Sequence, residues 1–305
     1  MKPQPISERP LPLEQHLDND QQNLQLLLNS ASYQIAFKDK DFLGSPAARG
    51  IRVHTEVAKP EWFLQKYGIH STVIVFGSAR FVSEEEAKKR LTVAKLQMET
   101  MPDSPEAAAA LQKAERLMSM SRYYEQARDF GRIVSEENLA RNKAAGNGGY
   151  EYVICTGGGP GIMEAANRGA YEAGALSIGL NIKLPFEQQP NPYITPELCF
   201  QFHYFAIRKL HFMLRAKALV VSPGGYGTFD ELFEALTLRQ TERMQPIPII
   251  VFGEDFWRKC IHFEHLVETG VIDQEDVELF RFTESPQEAW RLIKEFHQEN
   301  GTAPS

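Results

Sequence analysis

A glycine-rich segment that ends in two acidic residues is the part of this sequence best suited to chemistry. Residues 222–231 read SPGGYGTFDE and stand between an apolar run and the helical pattern LFEALTLRQ. Glycines let the backbone approach a ligand closely, and the free N–H groups and dipole at a helix start favour an anion. Thr228 adds a hydroxyl donor. The segment predicts a phosphate-binding turn, although Thr228 and Glu231 also fit a capping box that needs no ligand.

Two other turns share the same placement after an apolar run. Residues 156–164 read TGGGPGIME and open a second helical pattern, and residues 77–80 read GSAR. The first lacks both the Gly-Lys-Ser/Thr ending of a Walker A loop and the regular order of a dinucleotide fingerprint, so NAD binding is not predicted. Ligands of doubly wound sheets sit at the carboxyl ends of the strands. We therefore expect all three turns to converge at one edge.

Short apolar runs alternate with helical patterns from Ser71 onward. Their near-continuous Val and Ile content is typical of strands buried on both faces of a sheet. This predicts an α/β fold, a doubly wound, Rossmann-like and mostly parallel sheet with helices on both faces. The predicted strands are 72–76, 152–155, 176–180, 199–203, 218–222 and 247–252, with a candidate edge strand at 279–282.

The chain is predicted to have an N-terminal extension, residues 1–70, and a Rossmann-like domain, residues 71–305, which would be the nucleotide-binding catalytic domain if the family resemblance given below holds. The extension is expected to pack on the main domain or on a partner subunit, with one amphipathic helix within 12–31 and an irregular stretch at 32–70. A helical insertion at about 83–146 separates the first two strands and holds helices at 83–100 and 105–145. Helix starts are expected at Ser83, Ser104 and Ser285, each at a capping position.

Composition and residue spacing argue against several classes of partner and cofactor. The formal net charge is -7, which argues against a duplex nucleic-acid binder. Three scattered cysteines with no CxxC pair predict neither a disulfide framework nor a thiolate zinc site. His262, Glu264 and His265 do not match HExxH, so no metal site is predicted. The polar N-terminus and the lack of a membrane-length apolar run predict a cytoplasmic protein with no membrane partner.

The glycine segments carry a family resemblance. PGGYGTFDE, residues 223–231, resembles the PGGxGTxxE signature of the LOG family, the cytokinin riboside 5′-monophosphate phosphoribohydrolases, whose members are often labelled lysine decarboxylases. GGGPGIMEAANRGA, residues 157–170, is similar to the other glycine motif of that family. Arg208 and Lys209, with Met213, match its RKxxxM-type segment. The resemblance spans roughly residues 71–255.

The resemblance implies hydrolysis of the N-glycosidic bond of a purine or cytokinin-type nucleotide to free base and ribose 5-phosphate. It implies that Arg208 and Glu231 are catalytic, that no cofactor is needed, and that the chain forms a homodimer or larger homo-oligomer. Such a reaction needs a carboxylate to stabilise charge on the ribose or to activate water. Glu231 is expected in the first turn of a helix, where the dipole favours its ionised form. The predicted contacts to a nucleoside monophosphate are Gly77, Ser78, Gly158, Gly159, Gly161, Lys209, Gly224, Gly225, Gly227 and Thr228.

Two other functions stay open. A non-catalytic nucleotide-binding or carrier protein of the same fold would use the glycine turns but would not need Glu231. A decarboxylase would use pyridoxal phosphate on a lysine, for which Lys183, Lys209 and Lys217 are candidates without a suggestive context. His203 and His211 could reach a substrate, and Tyr123, Tyr124 and Arg128 could clamp a base, although a helix packing face explains the latter three more simply.

Overall fold

The computed structural model describes residues 20–145, 149–185 and 189–302. The chain forms two compact units, Met1–Thr55 and Glu56–Ser305. The unit boundary falls earlier in the chain than the predicted end of the extension at residue 70. Within the described residues, no helix is both long enough and apolar enough to cross a membrane.

The first unit is built from short helical segments. Helix α1 spans Asp20–Leu28 and α2 spans Lys40–Gly44, with 3-10 turns at Ala31–Tyr33, Ala36–Lys38 and Pro46–Ala48. Helix α1 agrees with the predicted amphipathic helix, whose residues 12–19 lie outside the described part of the chain. Asp39 starts α2, because its side chain accepts a hydrogen bond of 2.8 Å from the Phe42 N–H.

The prediction of an irregular stretch at 32–70 was wrong. Helix α3 spans Arg49–Lys66, beginning in the first unit and continuing into the second. A proline inside a helix removes one backbone hydrogen bond and costs about 3 kcal/mol, so Pro60 indicated a break. The helix nevertheless runs through Pro60, which is buried together with Leu64. Tertiary burial outweighs the local preference here.

The second unit contains a seven-stranded sheet in which every neighbouring pair of strands is parallel. The strand order is β4-β3-β2-β1-β5-β6-β7. Each predicted run overlaps one strand, so the doubly wound α/β fold is confirmed. The strands are β1 Thr72–Phe76, β2 Val153–Thr156, β3 Ser177–Ile182, β4 Cys199–Phe202, β5 Ala216–Val221, β6 Ile249–Phe252 and β7 Phe280–Thr283.

Helices connect these strands, and the predicted starts are confirmed by their caps. The hydroxyls of Ser83, Ser104 and Ser285 each accept a hydrogen bond from the N–H three residues later, at 3.2–3.3 Å. The helices of this unit after α3 are α4 Glu84–Thr100, α5 Pro105–Ala145, α6 Ile162–Glu172, α7 Phe205–Leu214, α8 Tyr226–Gln240, α9 Glu254–Cys260, α10 Phe263–Glu268 and α11 Pro286–Glu299.

Both faces of the sheet carry a hydrophobic core. The central strand β1 is buried along its whole length. Ile74 and Phe76 point to the face covered by α7, α8, α9 and α10, while Val73 and Val75 point to the face covered by α5, α6 and α11. This alternation is the physical reason for the strand's continuous apolar sequence.

The insertion is part of the second core. Helix α5 packs on α6 so closely that a Cβ at Gly131 would overlap the carbonyl oxygen of Ala166, and one at Gly169 would overlap that of Arg128. Phe130 and Val134 of α5 are fully buried against the sheet. The predicted insertion is therefore a structural layer of the fold.

Candidate functional site

A cavity of about 800 Å³ opens at the carboxyl ends of β1 and β5. The chain winds outward from β1 to β4 and then crosses to β5 on the other side of β1, so the strand order reverses between these two strands. Open α/β sheets bind their ligands at such a reversal. We call this space the switch-point cavity. Its lining includes residues 76–81, 224–231, Met163, Phe205, Arg208, Phe256 and Cys260.

The three predicted turns meet at this edge. The Ser222 N–H donates to the Phe76 carbonyl at 2.9 Å, and the Ser78 N–H donates to the Pro223 carbonyl at 3.0 Å. The Ile162 N–H donates to the Ser78 carbonyl, also at 3.0 Å. The expected convergence is therefore confirmed. Of the predicted ligand contacts, those that line the cavity are Gly77, Ser78, Gly224, Gly225, Gly227 and Thr228.

The turn at 156–161 has a packing role. Gly158 and Gly161 have φ of +73° and +76°, and a Cβ at Gly161 would overlap the carbonyl oxygen of Ser78. The Gly158 carbonyl accepts from the Asn191 N–H at 2.9 Å, and the Gly159 carbonyl accepts from Asn191 Nδ2 at 3.1 Å. Gly158, Gly159 and Gly161 do not line the cavity, so the structure gives no support to their predicted phosphate contacts.

A buried polar network holds this turn in place. Thr156 donates its hydroxyl proton to Asn167 Oδ1 at 2.6 Å, and Asn191 Nδ2 donates to the same oxygen at 3.0 Å. The Asn167 side chain also donates to the Ile178 carbonyl. Fully bonded buried networks fix one backbone geometry. The network therefore accounts for this glycine turn without a ligand.

The turn before α8 is built differently. Gly225 is the N-cap, and the Thr228 and Phe229 N–H groups both donate to its carbonyl. The Tyr226 and Gly227 N–H groups lie at the very start of the helix, where backbone N–H groups have no acceptor within the helix. Space at the Cβ positions of Gly225 and Gly227 is open to beyond 4 Å. The start of α8 can therefore admit an anion from the cavity.

Arg208 is fixed in one orientation at the cavity wall. Its Nε donates to the Leu180 carbonyl at 2.6 Å, and its Nη2 donates to the Gly157 carbonyl at 3.5 Å. The guanidinium lies 5.0 Å from the centre of the Phe212 ring. Burial lowers the pKa of Arg208 from its ordinary value, although nearby Glu231 opposes this effect. A guanidinium held in this way can present its remaining donors to a ligand or a carboxylate.

Glu231 lies opposite Arg208, with 3.9 Å between Arg208 Nη1 and Glu231 Oε1. The residue is only 4% exposed, and its Oε2 has no hydrogen-bond partner among the described residues. Burial raises the pKa of Glu231 to about 7, against the opposing effects of Lys209 and Arg208. The carboxyl can therefore exchange a proton near neutral pH, as a general acid or base must.

The expectation that the helix dipole keeps Glu231 ionised was wrong. Helix α8 begins at Tyr226, so Glu231 falls in its second turn. The dipole effect is concentrated in the first turn, whereas desolvation acts wherever the side chain is buried. Here burial is the largest influence on the carboxyl.

The predicted ligand contact Lys209 does not line the cavity. Its Nζ lies 2.9 Å from Asp230 Oδ1 and 3.1 Å from Glu234 Oε2, so it joins α7 to α8. The exposed residue Arg80 lines the cavity, forms no ion pair with any described residue, and was absent from the predicted contacts. Its place in the GSAR turn was the signal that could have identified it.

The other candidate residues from the sequence lie outside the cavity lining. His211 is buried, with its Nε2 3.0 Å from the Glu56 carbonyl oxygen, and His203 is exposed; neither lines the cavity. Tyr124 donates to Glu164, and Arg128 pairs with Glu172. These contacts support the packing interpretation of α5. Among the described residues, no three His, Cys, Asp or Glu side chains are grouped so as to hold a metal ion.

Residues 163–293 match the model of a protein family described as "Possible lysine decarboxylase". This is the label carried by the family that the glycine motifs resemble, so the resemblance is confirmed over these residues. None of the curated proteins matches the chain.

Several solved structures are similar to the chain at low identity. The molybdenum cofactor binding protein from the phototrophic bacterium Rippkaea orientalis is 17% identical, with 75% of this chain and 96% of that one covered and a TM-score of 0.43. The protein TM1055 is 19% identical, with 74% and 99% covered and a TM-score of 0.45. The Moco carrier protein from Chlamydomonas reinhardtii is 16% identical, with 75% and 99% covered and a TM-score of 0.40.

Proposed function

We propose that this chain is a nucleoside 5′-monophosphate phosphoribohydrolase, which hydrolyses the N-glycosidic bond to release free base and ribose 5-phosphate. The observation that carries the proposal is the state of Glu231. A buried carboxyl with a pKa of about 7, one oxygen of which has no hydrogen-bond partner within the described part of the chain, lines a cavity at the topological switch point. Perturbed carboxyls of this kind cluster at catalytic sites.

The phosphate is assigned to the start of α8. The Tyr226 and Gly227 N–H groups and the Thr228 hydroxyl supply neutral donors there, and Arg80 supplies a positive charge from the facing turn. This assignment replaces Lys209, whose charge is already matched by Asp230 and Glu234.

In the proposed reaction, Glu231 acts as the general base. Its carboxylate takes a proton from water as the water oxygen bonds to the anomeric carbon. The bond between that carbon and the base nitrogen breaks, the electron pair goes to the base, and the base takes a proton from solvent. Arg208 holds a ribose hydroxyl or steadies Glu231, since its own position is fixed by two backbone carbonyls.

The test is a panel of nucleoside 5′-monophosphates and the matching nucleosides, with base and ribose 5-phosphate measured by chromatography. We expect release from the monophosphates only. Glu231→Gln should slow release by roughly 10²- to 10⁴-fold, the usual worth of a general base, with nucleotide affinity kept within a few fold. Glu115→Gln, which makes the same chemical change at an exposed residue of α5 outside the cavity lining, is the matched control and should keep the rate.

Other outcomes would contradict the proposal. Binding of monophosphates without release by the wild-type protein would support a carrier. Equal rates in wild type and Glu231→Gln would show that Glu231 is not the base. Pyridoxal phosphate chemistry fits the cavity poorly, because the lining described for it includes no lysine to form a Schiff base.

A further inference from the structure

The switch-point cavity has an aromatic wall on the same turn as Arg80. Phe81 lines the cavity and packs on Tyr123 of α5, with ring centroids 6.2 Å apart and an interplanar angle of 22°. This is a stacked arrangement. The other described aromatic pairs that include a lining ring are edge-to-face or tilted, with interplanar angles of 89° for Phe256 on Trp257, 76° for Phe76 on Phe212 and 43° for Phe229 on Trp257. Phe81 is therefore the lining ring that belongs to a stack.

The ring behind Phe81 is held from several directions. Tyr123 is 1% exposed, and the guanidinium of Arg122 lies 4.7 Å from its ring centre. Arg122 Nη2 also donates to the Tyr123 hydroxyl at 2.7 Å. Gly253, with φ of +85°, leaves room for the same hydroxyl, since a Cβ there would lie 2.9 Å from it. Tyr123 cannot turn without disturbing these contacts, so the ring behind Phe81 is in place before any ligand binds.

We infer that Phe81, backed by Tyr123, is the platform on which the base of the substrate stacks. The inference rests on the proposed function, which assigns the phosphate to the start of α8 and the glycosidic bond to Glu231. The base must then occupy a remaining part of the lining, and Phe81 adjoins Arg80 there. A planar base on Phe81 would extend the existing stack, and the ordering cost is reduced because Tyr123 behind Phe81 is already held in place. Helix α5 thereby gains a role in ligand recognition through Tyr123.

The test compares ligands with and without a base. Binding of AMP and of ribose 5-phosphate is measured by calorimetry in the Glu231→Gln protein, so that AMP is not consumed. Phe81→Ala should weaken AMP binding roughly ten-fold or more, the usual effect of losing an aromatic stacking partner. Ribose 5-phosphate has no base, and its affinity should stay within about two-fold. Phe81→Trp should restore AMP affinity. Phe233→Ala, which removes an exposed aromatic ring of α8 outside the cavity lining, is the control and should change neither affinity.

Each contrary result has a distinct meaning. Unchanged AMP affinity in Phe81→Ala would overturn the inference, because the base would then lie elsewhere. An equal loss for AMP and ribose 5-phosphate would also overturn it, by showing that Phe81 only shapes the turn that carries Arg80. If the parent protein binds neither ligand, the phosphate assignment fails, and the inference fails with it. The ribose 5-phosphate measurement separates that failure from a failure of the platform alone.

Discussion

Replacing Glu231 by glutamine should stabilise the ligand-free protein at neutral and alkaline pH. The pKa of this carboxyl rises from 4.5 to about 7 on folding, chiefly because burial disfavours the charged form. The folded state then binds more protons than the unfolded state between these two values. The free energy of unfolding therefore falls as pH rises from 4.5 to 7, and the full penalty applies above 7. Glutamine has a similar shape and carries no charge, so the variant avoids the penalty.

The magnitude follows from the size of the shift. The rise of the pKa from 4.5 to about 7, at about 1.4 kcal/mol per unit, gives an upper bound of about 3 to 4 kcal/mol above pH 7. The side chain is 6% exposed, so little of this is lost to screening by solvent. One kcal/mol corresponds to roughly 2–4 °C in a domain of this size. Thermal unfolding should show a gain of several degrees for Glu231→Gln at pH 8 and a much smaller gain at pH 5.

The assay is thermal unfolding between pH 5 and pH 8, with urea titrations at both ends. Glu115→Gln, which changes an exposed glutamate of α5, is the control and should show no pH-dependent gain. The reasoning is refuted if Glu231→Gln follows the wild type at every pH, or if it is the less stable protein at pH 8. Either result would mean that the folded state stabilises the charged carboxylate at least as well as the unfolded state does.

The site predicts three further results. Base release should rise with pH and reach half its maximum near pH 7, since a general base must be ionised; a rate that falls through the same range would assign Glu231 as an acid. Lys209→Met removes a charge that lowers the pKa of Glu231, so the rate profile should move to higher pH, and an unmoved profile would contradict this coupling. Gly161→Ala and Gly174→Ala impose similar backbone strain, at φ of +76° and +73°, but only Gly161 faces a carbonyl oxygen. In urea unfolding Gly161→Ala should cost about 1–3 kcal/mol more than Gly174→Ala, and equal costs would show that the Ser78 turn gives way.

The sheet and its reversal point could be predicted from the sequence because both depend on local patterns. Runs such as 72–76 are apolar throughout, and this is typical of strands covered on both faces. The glycine turns after β1 and β5 identified the cavity, since the carboxyl ends of parallel strands share one edge. The capping serines predicted the helix starts because this signal is also local: it lies within four residues of the structure that it specifies.

The chemical state of the site depends on distant contacts and could not be predicted in the same way. The sequence places Glu231 near a helix start, but its side chain is buried beside Arg208 of α7, and this burial reverses the expected direction of the pKa shift. Lys209 is in a recognisable motif, yet its ion pairs with Asp230 and Glu234 form only when α7 and α8 pack together. The helix through Pro60 was missed because burial there outweighs propensity.

The glycine turn at 156–161 contributes to the site through Arg208, although its own residues do not line the cavity. Its Asn167 and Asn191 network fixes the backbone, and the Gly157 carbonyl at its start accepts a hydrogen bond from Arg208. The shorter hydrogen bond that Arg208 donates, 2.6 Å in length, goes to the Leu180 carbonyl of the neighbouring strand β3. Both acceptors are backbone atoms of a packed sheet edge, so the guanidinium is positioned by the core. A glycine motif of this kind therefore supports the site by orienting Arg208 toward Glu231, while the glycines before α8 are the ones that we propose to receive the ligand.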